Sequence, residues 1–414
     1  MAVIVIFALQ CKKDKAKPSS ENQIKNQAYT VLADSFFVPL EVAEIYAAHM
    51  NAADTSYHGE VEREIESEYP ILDEDEIPCM WVFNYVDSGW VILSADYRCE
   101  PIMAFGAQGI FAPDTIPGGL GLWIDASIES INLLRTGDYD NTFNGVYAWE
   151  TEKTNGGGFL LSNGNTLPRE NRNPIDPPCY NTTGQVKGPL LLTTWGQECT
   201  YNNSLGYCNN VTICNHQFTG CVATAIAQVL HYYNTGAGGF NYSSMPLHNG
   251  DGNVSNLMAD VGGKVNMNYN CNKSGANWND FRHVFEEWYQ FSNNDYGSYS
   301  FATVVSNILN NKPVILRGCA VQTSTNKKWW QFWKPKYDYD QCHAWVCDGV
   351  TSRIYCGNTQ YELLHMNWGW HEVTATTLIS SNNDYNNWYR YNNWTIPGGT
   401  NYQFANDMVY NITP

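Results

Sequence analysis

The sequence predicts an α+β protein of two domains. Three observations carry that reading. In the second half, helical spacing comes first and strand-like runs come last, the order of an α+β domain rather than of an alternating α/β one. In the first half, a helical segment, an aromatic-rich hairpin and a second helix follow one another. Between the halves, residues 151–187 lose all apolar periodicity. The 414 residues suit two domains at roughly 100–200 residues each. The boundaries expected are 1–30 for a head and tether, 31–150 for the first domain, 151–187 for a linker exposed to proteolysis, and 188–414 for the second domain.

The head reads MAVIVIFALQCKKDK. A short apolar run from Ala2 to Leu9 precedes Cys11, and Lys12, Lys13 and Lys15 follow. This resembles a truncated lipoprotein signal with Cys11 as the lipidated residue. It departs from that pattern in having no basic residue before the run and Gln10 where a small residue is usual; a degenerate signal is the other reading. Both imply export, to a bacterial surface or outer membrane or into the medium. No stretch reaches about 18 apolar residues, so no spanning helix is expected.

From Pro39, PLEVAEIYAAHM has helical spacing, with Val42, Ile45, Tyr46 and His49 on one face. An acidic patch runs from Glu60 to Glu76. Two apolar runs within 81–95 flank Asp87, Ser88 and Gly89, a hairpin signature, and Pro101 to Phe105 suits a further strand. GLWIDASIESINLLRT, from Gly121, is helical through Trp123, Ile124, Ile128, Ile131 and Leu134. In the second domain GCVATAIAQVLHYY (220–233) is helical, as are segments from Phe281 and from Phe301. Strands are expected at 313–321, 343–350 and 362–368.

A net charge of −18 repels phosphate backbones, which excludes nucleic acid as a general partner. Thirteen cysteines are many; export permits disulfides, with Cys199, Cys208 and Cys214 the nearest cluster. No CxxC pair supports a structural zinc.

Cys221 opens the 220–233 helix, where unpaired amides and the helix dipole favour a thiolate. A cysteine nucleophile needs a base, and His343 in QCHAWVCDGV sits on an expected strand. In LLHMNWGW, Asn367 can accept from that imidazole and Trp368 can shield the bond from water. Gln197, 24 residues before Cys221, can join the Cys221 N–H as an oxyanion donor. The order Cys, His, Asn over wide separations is that of papain-like enzymes.

With these residues in place, the second domain resembles the streptopain family of papain-like cysteine peptidases over about 188–414. GPLLLTTWGQ, GCVATAIAQV, ADVGGKVNMNYNCNKSGA, NKPVILRG, CHAWVCDG and LLHMNWGW occur in the family's order. WVFNYVDSGWVILSADYRCEPIMAF is similar to the family's inhibitory prodomain, with its SAD-x-R turn at Ser94 to Arg98. The resemblance implies a papain-like peptidase domain behind a small α+β prodomain. It implies a secreted or surface-anchored cysteine endopeptidase made as a zymogen, with Cys221 the nucleophile, His343 the base, Gln197 the oxyanion donor, and Asn367 with Trp368 the orienting pair. Ser274, Ala276 and Cys342 are expected to contact substrate, beside an unprimed pocket for an apolar side chain. Its partners would be protein or peptide substrates and its own prodomain, with a membrane reached only through a lipid on Cys11. No cofactor or metal is required.

The chain departs from the family at Cys342, where a small residue is usual, and at His371 and Glu372, where glycine is common. The cationic, aromatic loop KKWWQFWKPK and the long Asn- and Tyr-rich stretch 371–400 depart as well. Two other readings use the same residues: a papain-fold amidase or transglutaminase-like acyltransferase, or a non-catalytic surface binding protein. Transglutaminase-like triads place Asp after the histidine, whereas this chain offers Asn367.

Overall fold

The computed structural model describes residues 36–50, 63–112, 116, 118–136, 149, 186–209, 214–318, 342–355, 358–370, 386–390, 394–395, 401–402 and 407–414. Cys11, the tether, most of the linker and the KKWWQFWKPK loop lie outside these.

The first helix, α1 (Leu40–Ala48), begins after Pro39, whose missing N–H costs nothing at a helix start. Its buried face is Val42, Ala43, Tyr46 and Ala47; Ile45, expected inside, is 44% exposed. Small alanines let the helix lie close on the sheet and turn Ile45 outward. Four antiparallel strands follow: β1 (Ile65–Leu72), β2 (Pro78–Tyr85), β3 (Trp90–Ser94) and β4 (Ile102–Gly106). β1 lies within the acidic patch, where no strand was expected. As the outermost strand of the sheet it carries Glu66 and Glu68, charges that blunt an edge against further pairing. The β2–β3 hairpin turns at Ser88 and Gly89, both at positive φ. β2, β3 and β4 are buried on both faces, which is why they read as continuous apolar runs. Helix α2 (Gly118–Thr136) covers the second face and starts three residues before the expected helix.

The second half contributes β5 (Val186–Lys187), then α3 (Cys221–Tyr233) and α4 (Gly252–Lys264). The helix expected from Phe281 is two short ones, α5 (Trp278–Phe281) and α6 (Val284–Tyr289), broken at His283 and ended by left-handed Gln290. β6 (Asn293–Ser298) and α7 (Phe301–Leu309) precede β7 (Val314–Gly318), β8 (His343–Tyr355) and β9 (Asn358–Asn367). β10 (Asn387–Arg390), β11 (Trp394–Thr395), β12 (Asn401–Tyr402) and β13 (Asp407–Thr413) complete the chain.

The two halves share one sheet in the order β1-β2-β3-β4-β10-β9-β8-β7-β13-β6, with β5 paired to β8. The junction is β4 against β10, Ala104 opposite Tyr389 and Phe105 opposite Trp388. Arg390 Nε donates to Ile102 O at 2.7 Å, and Trp123 Nε1 to Arg390 O at 2.9 Å. One apolar core runs under both halves on this face: Trp90, Ile92 and Trp123 from the first half pack with Trp345, Trp368 and Tyr389 from the second. The opposite face holds two separate cores, one under α1 and one under α3.

The Ser94 to Arg98 turn is an electrostatic knot. Asp96 is fully buried; its Oδ1 accepts from Arg98 N and Nε at 3.0 and 2.8 Å, and its Oδ2 from Arg98 Nη2 at 2.6 Å. Arg135 of α2 approaches Asp96 at 3.5 Å and donates to Pro78 O at 2.7 Å, pinning helix to sheet. Asp96→Ala removes the buried carboxylate that Arg98 pairs with and one of the two that Arg135 approaches, the other being Asp73 at 3.8 Å. It is expected to destabilise the precursor by roughly 3–5 kcal/mol, measured by urea unfolding; a loss under about 1 kcal/mol would show the knot to be incidental.

Candidate functional site

The site forms where the N-terminus of α3 meets the ends of β8 and β9. Gly220, the residue before α3, has φ +86°, and a Cβ there would lie 2.8 Å from Met267 Sδ. Only glycine meets both conditions, so the backbone turns sharply into the helix and sets Cys221 at its first position. The Thr219 N–H donates to Gln197 O at 3.1 Å, which ties the Gln197 segment to this turn.

Cys221 is 8% exposed. The Ala344 N–H points at its Sγ at 3.4 Å, and His343 hydrogen-bonds the sulfur. His343 Nε2 donates to the Trp368 backbone carbonyl at 3.1 Å, which leaves Nδ1 for the sulfur. Burial by itself raises a thiol pKa and lowers an imidazole pKa. Here burial is opposed and outweighed. The charge and hydrogen bond of His343, with the Ala344 and Val222 amides, hold the Cys221 thiol below its usual range. The Cys221 charge and hydrogen bond, with the Trp368 carbonyl, hold the imidazole above its own. Both shifts favour the thiolate–imidazolium form of the pair.

The structure therefore brings Cys221 and His343 together. It places Asn367 differently from the sequence expectation. Asn367 Nδ2 donates to Thr193 O (2.8 Å) and Gln228 Oε1 (3.1 Å), and its Oδ1 accepts from Gln228 Nε2 (3.1 Å) and Gly369 N (3.2 Å). Its amide is fully engaged away from the imidazole, and a backbone carbonyl one residue on accepts in its place. No sequence signal distinguishes a backbone acceptor, because every residue carries one. Trp368 is fully buried against Trp345 and Tyr389. Gln197 is 6% exposed and donates from Nε2 to Gly369 O at 3.3 Å.

Ser274 O lies 3.2 Å from where a Gly220 Cβ would stand, beside the nucleophile turn, and its hydroxyl accepts from Asn270 N at 3.0 Å. Ala276 is half-buried against the α3 core. Cys342 is exposed, disulfide-bonded, and touched by Arg317 Nη2 at 2.8 Å. Two disulfides, Cys199–Cys214 and Cys208–Cys271, brace the loops around the site; the second fastens the segment that leads to Ser274. Sequence reading missed Cys271 as a partner, since it stands 63 residues from Cys208.

The first turn of α2 closes the site. A Cβ on Gly119 would lie 2.7 Å from His343 Cδ2 and 2.5 Å from Trp368 Cε3. The N-terminal domain thus rests directly on the histidine.

A cysteine at a helix start, set against a histidine from a neighbouring sheet and roofed by an N-terminal α+β domain, is the arrangement of a papain-like cysteine-type endopeptidase in precursor form. Residues 195–252 and 240–374 match the Peptidase C10 family, and residues 21–131 match the Spi protease inhibitor family. The second domain therefore belongs to the Peptidase C10 family, and the first is an inhibitor domain of the Spi type. The chain is 22% identical to streptopain of Streptococcus pyogenes over 352 residues, 71% of this chain and 72% of that one. The fold is similar to that of a prointerpain A fragment from Prevotella intermedia, with a TM-score of 0.53 and 19% identity, covering 84% of this chain and 99% of that one.

The sign of the thiol shift fixes a pH dependence. Thiolate persists below the ordinary thiol range and is lost only as pH falls through the depressed Cys221 pKa. Iodoacetamide alkylation of Cys221 in the processed form, mapped by mass spectrometry, is expected to stay fast at neutral pH. In His343→Ala its acid limb is expected to move to higher pH. An unmoved limb would separate the sulfur from the imidazole.

Proposed function

We propose that the chain is an exported cysteine endopeptidase, secreted or surface-anchored, that folds as a latent precursor and hydrolyses peptide bonds with Cys221 and His343. The contact between that sulfur and imidazole, from positions more than a hundred residues apart, carries the proposal. The Cys221 thiolate attacks the peptide carbonyl carbon, forming a tetrahedral oxyanion. The Cys221 N–H, free at the helix start, and the Gln197 amide, turned from Gly369 O, stabilise that charge. The His343 imidazolium protonates the leaving amine as the intermediate collapses to a thioester. Neutral His343 then takes a proton from water, which displaces the thiolate and releases the acid. Trp368 O keeps the ring oriented through both proton transfers.

Ser274, Ala276 and Cys342 border the substrate groove in this reading, with an apolar unprimed pocket beside them. The inhibitor domain comprises 31–150, the processing linker 151–187 and the peptidase domain 188–414. β5 already pairs with β8, Val186 opposite Thr351, so the cut falls before it. The two disulfides support export, since such bonds persist in oxidising compartments. Lipidation of Cys11 is the proposed route to the surface.

Latency follows from Gly119. The bare backbone of α2 fits against His343 and Trp368, and a substrate backbone reaching that face of the histidine would have to displace it.

Cys221→Ala is expected to leave a folded precursor that neither matures in pure form nor cleaves peptides, read by gel mobility and a fluorogenic assay. N-terminal sequencing of active wild-type protein, with a peptide-library profile, tests the reading as a whole; an absence of peptide cleavage by fully processed protein would overturn it. Gly119→Leu overpacks the roof by about 1–3 kcal/mol, so the unprocessed precursor is expected to gain activity by about 5- to 150-fold over wild-type precursor. Equal activity of the two precursors would remove the Gly119 contact from the account of latency.

A further inference from the structure

Gln228 is fully buried on the nucleophile helix, seven residues after Cys221 and so on nearly the same helical face. Within α3, residues 221–230 are all buried. A buried amide there is costly unless every polar atom is bonded. Its Oε1 accepts from the Thr193 hydroxyl at 3.0 Å, from the Trp195 N–H at 3.1 Å and from Asn367 Nδ2 at 3.1 Å. Its Nε2 donates to Asn367 Oδ1 at 3.1 Å. The Trp195 N–H can only donate, so the amide's orientation is fixed.

These bonds join three pieces that the chemistry needs in register. The helix carries Cys221. The 193–197 segment carries Gln197. Asn367 holds the Gly369 N–H, and so shapes the turn whose Trp368 carbonyl receives the imidazole. We propose that Gln228 is a positioning residue for the peptidase reaction: it sets the nucleophile helix against the turn that orients His343. This rests on the peptidase reading above. Wild-type cleavage tests that reading, and the ratio of variant to wild type tests Gln228 alone.

The experiment compares processed Gln228→Leu, Gln228→Glu and Thr193→Val with wild type. Each is checked for a cooperative melt, then assayed for kcat, KM and the pH profile of Cys221 alkylation. Gln228→Glu keeps the Oε1 acceptor and loses the bond to Asn367 Oδ1; Thr193→Val removes one bond with little change of shape. For folded Gln228→Leu the expected result is a fall in kcat of at least about tenfold, KM within about twofold, and an alkylation limb moved to higher pH. Smaller changes of the same sign are expected for the other two. A folded Gln228→Leu with wild-type kcat or an unmoved limb overturns the proposal. If that variant does not fold, Gln228→Glu and Thr193→Val decide: wild-type kcat in both overturns it, and a graded loss supports it.

Discussion

At the seam between α3 and the sheet, two groups that burial would neutralise each favour the other's charged form. For Cys221 and for His343 alike, burial is the largest single influence, and it favours the neutral form. Only the pairing, helped by fixed backbone groups, reverses it. The same molecule supplies the contrast. Cys79 is as buried as Cys221 and has Arg135 beside it, yet burial pushes its thiol up to about 12. Cys347, on β8 four residues beyond His343, is also raised well above the ordinary range, with Asp348 adding to the effect of burial. A positive neighbour is therefore not enough. The sulfur must face an imidazole and amide donors together, and those come from a helix start and a strand end at the same point in space.

That requirement explains which parts of the structure are rigidly specified. Gly220 permits the turn that places the sulfur. β8 delivers His343 and the Ala344 amide in consecutive residues, and both reach the Cys221 sulfur. The amide network of Asn367, Gln228 and Thr193 fixes the third approach. Each member is buried and hydrogen-bonded, so a change in one leaves partners unsatisfied in a medium that does not forgive it.

How much of this was legible in the sequence follows the range of the interactions. The α3 helix, the Asp87–Gly89 hairpin and the strand ending in Asn367 are written in local spacing and turn chemistry, and the structure has them. Cys221 and His343 were recognisable because their neighbours form motifs in a known order. β10 was not, because its four residues acquire meaning only between β9 and β4, the latter some 280 positions earlier. Gln228 lay inside a recognised motif and still gave no sign of its role. A buried side-chain amide on a largely apolar helix is the clue, but only the partners on β9 and at Thr193 give it content. The imidazole acceptor was misassigned to Asn367 because side chains are visible in a sequence and carbonyl directions are not.

The shared sheet bears on how latency can end. The N-terminal domain is held by more than its linker: β4 pairs with β10, and Trp123 lies in one core with Trp345, Trp368 and Tyr389. Cutting the linker removes the covalent tether and none of these contacts. What it removes is effective concentration, which turns an intramolecular closure into a bimolecular one that dilution can oppose. Departure of the domain would uncover the β10 edge and the aromatic side chains behind His343, so the separated peptidase carries exposed surface that the precursor does not. Under the proposed function, cleavage in the linker makes release possible, while loss of the inhibitor domain, by dilution or by its own proteolysis, would keep the histidine open.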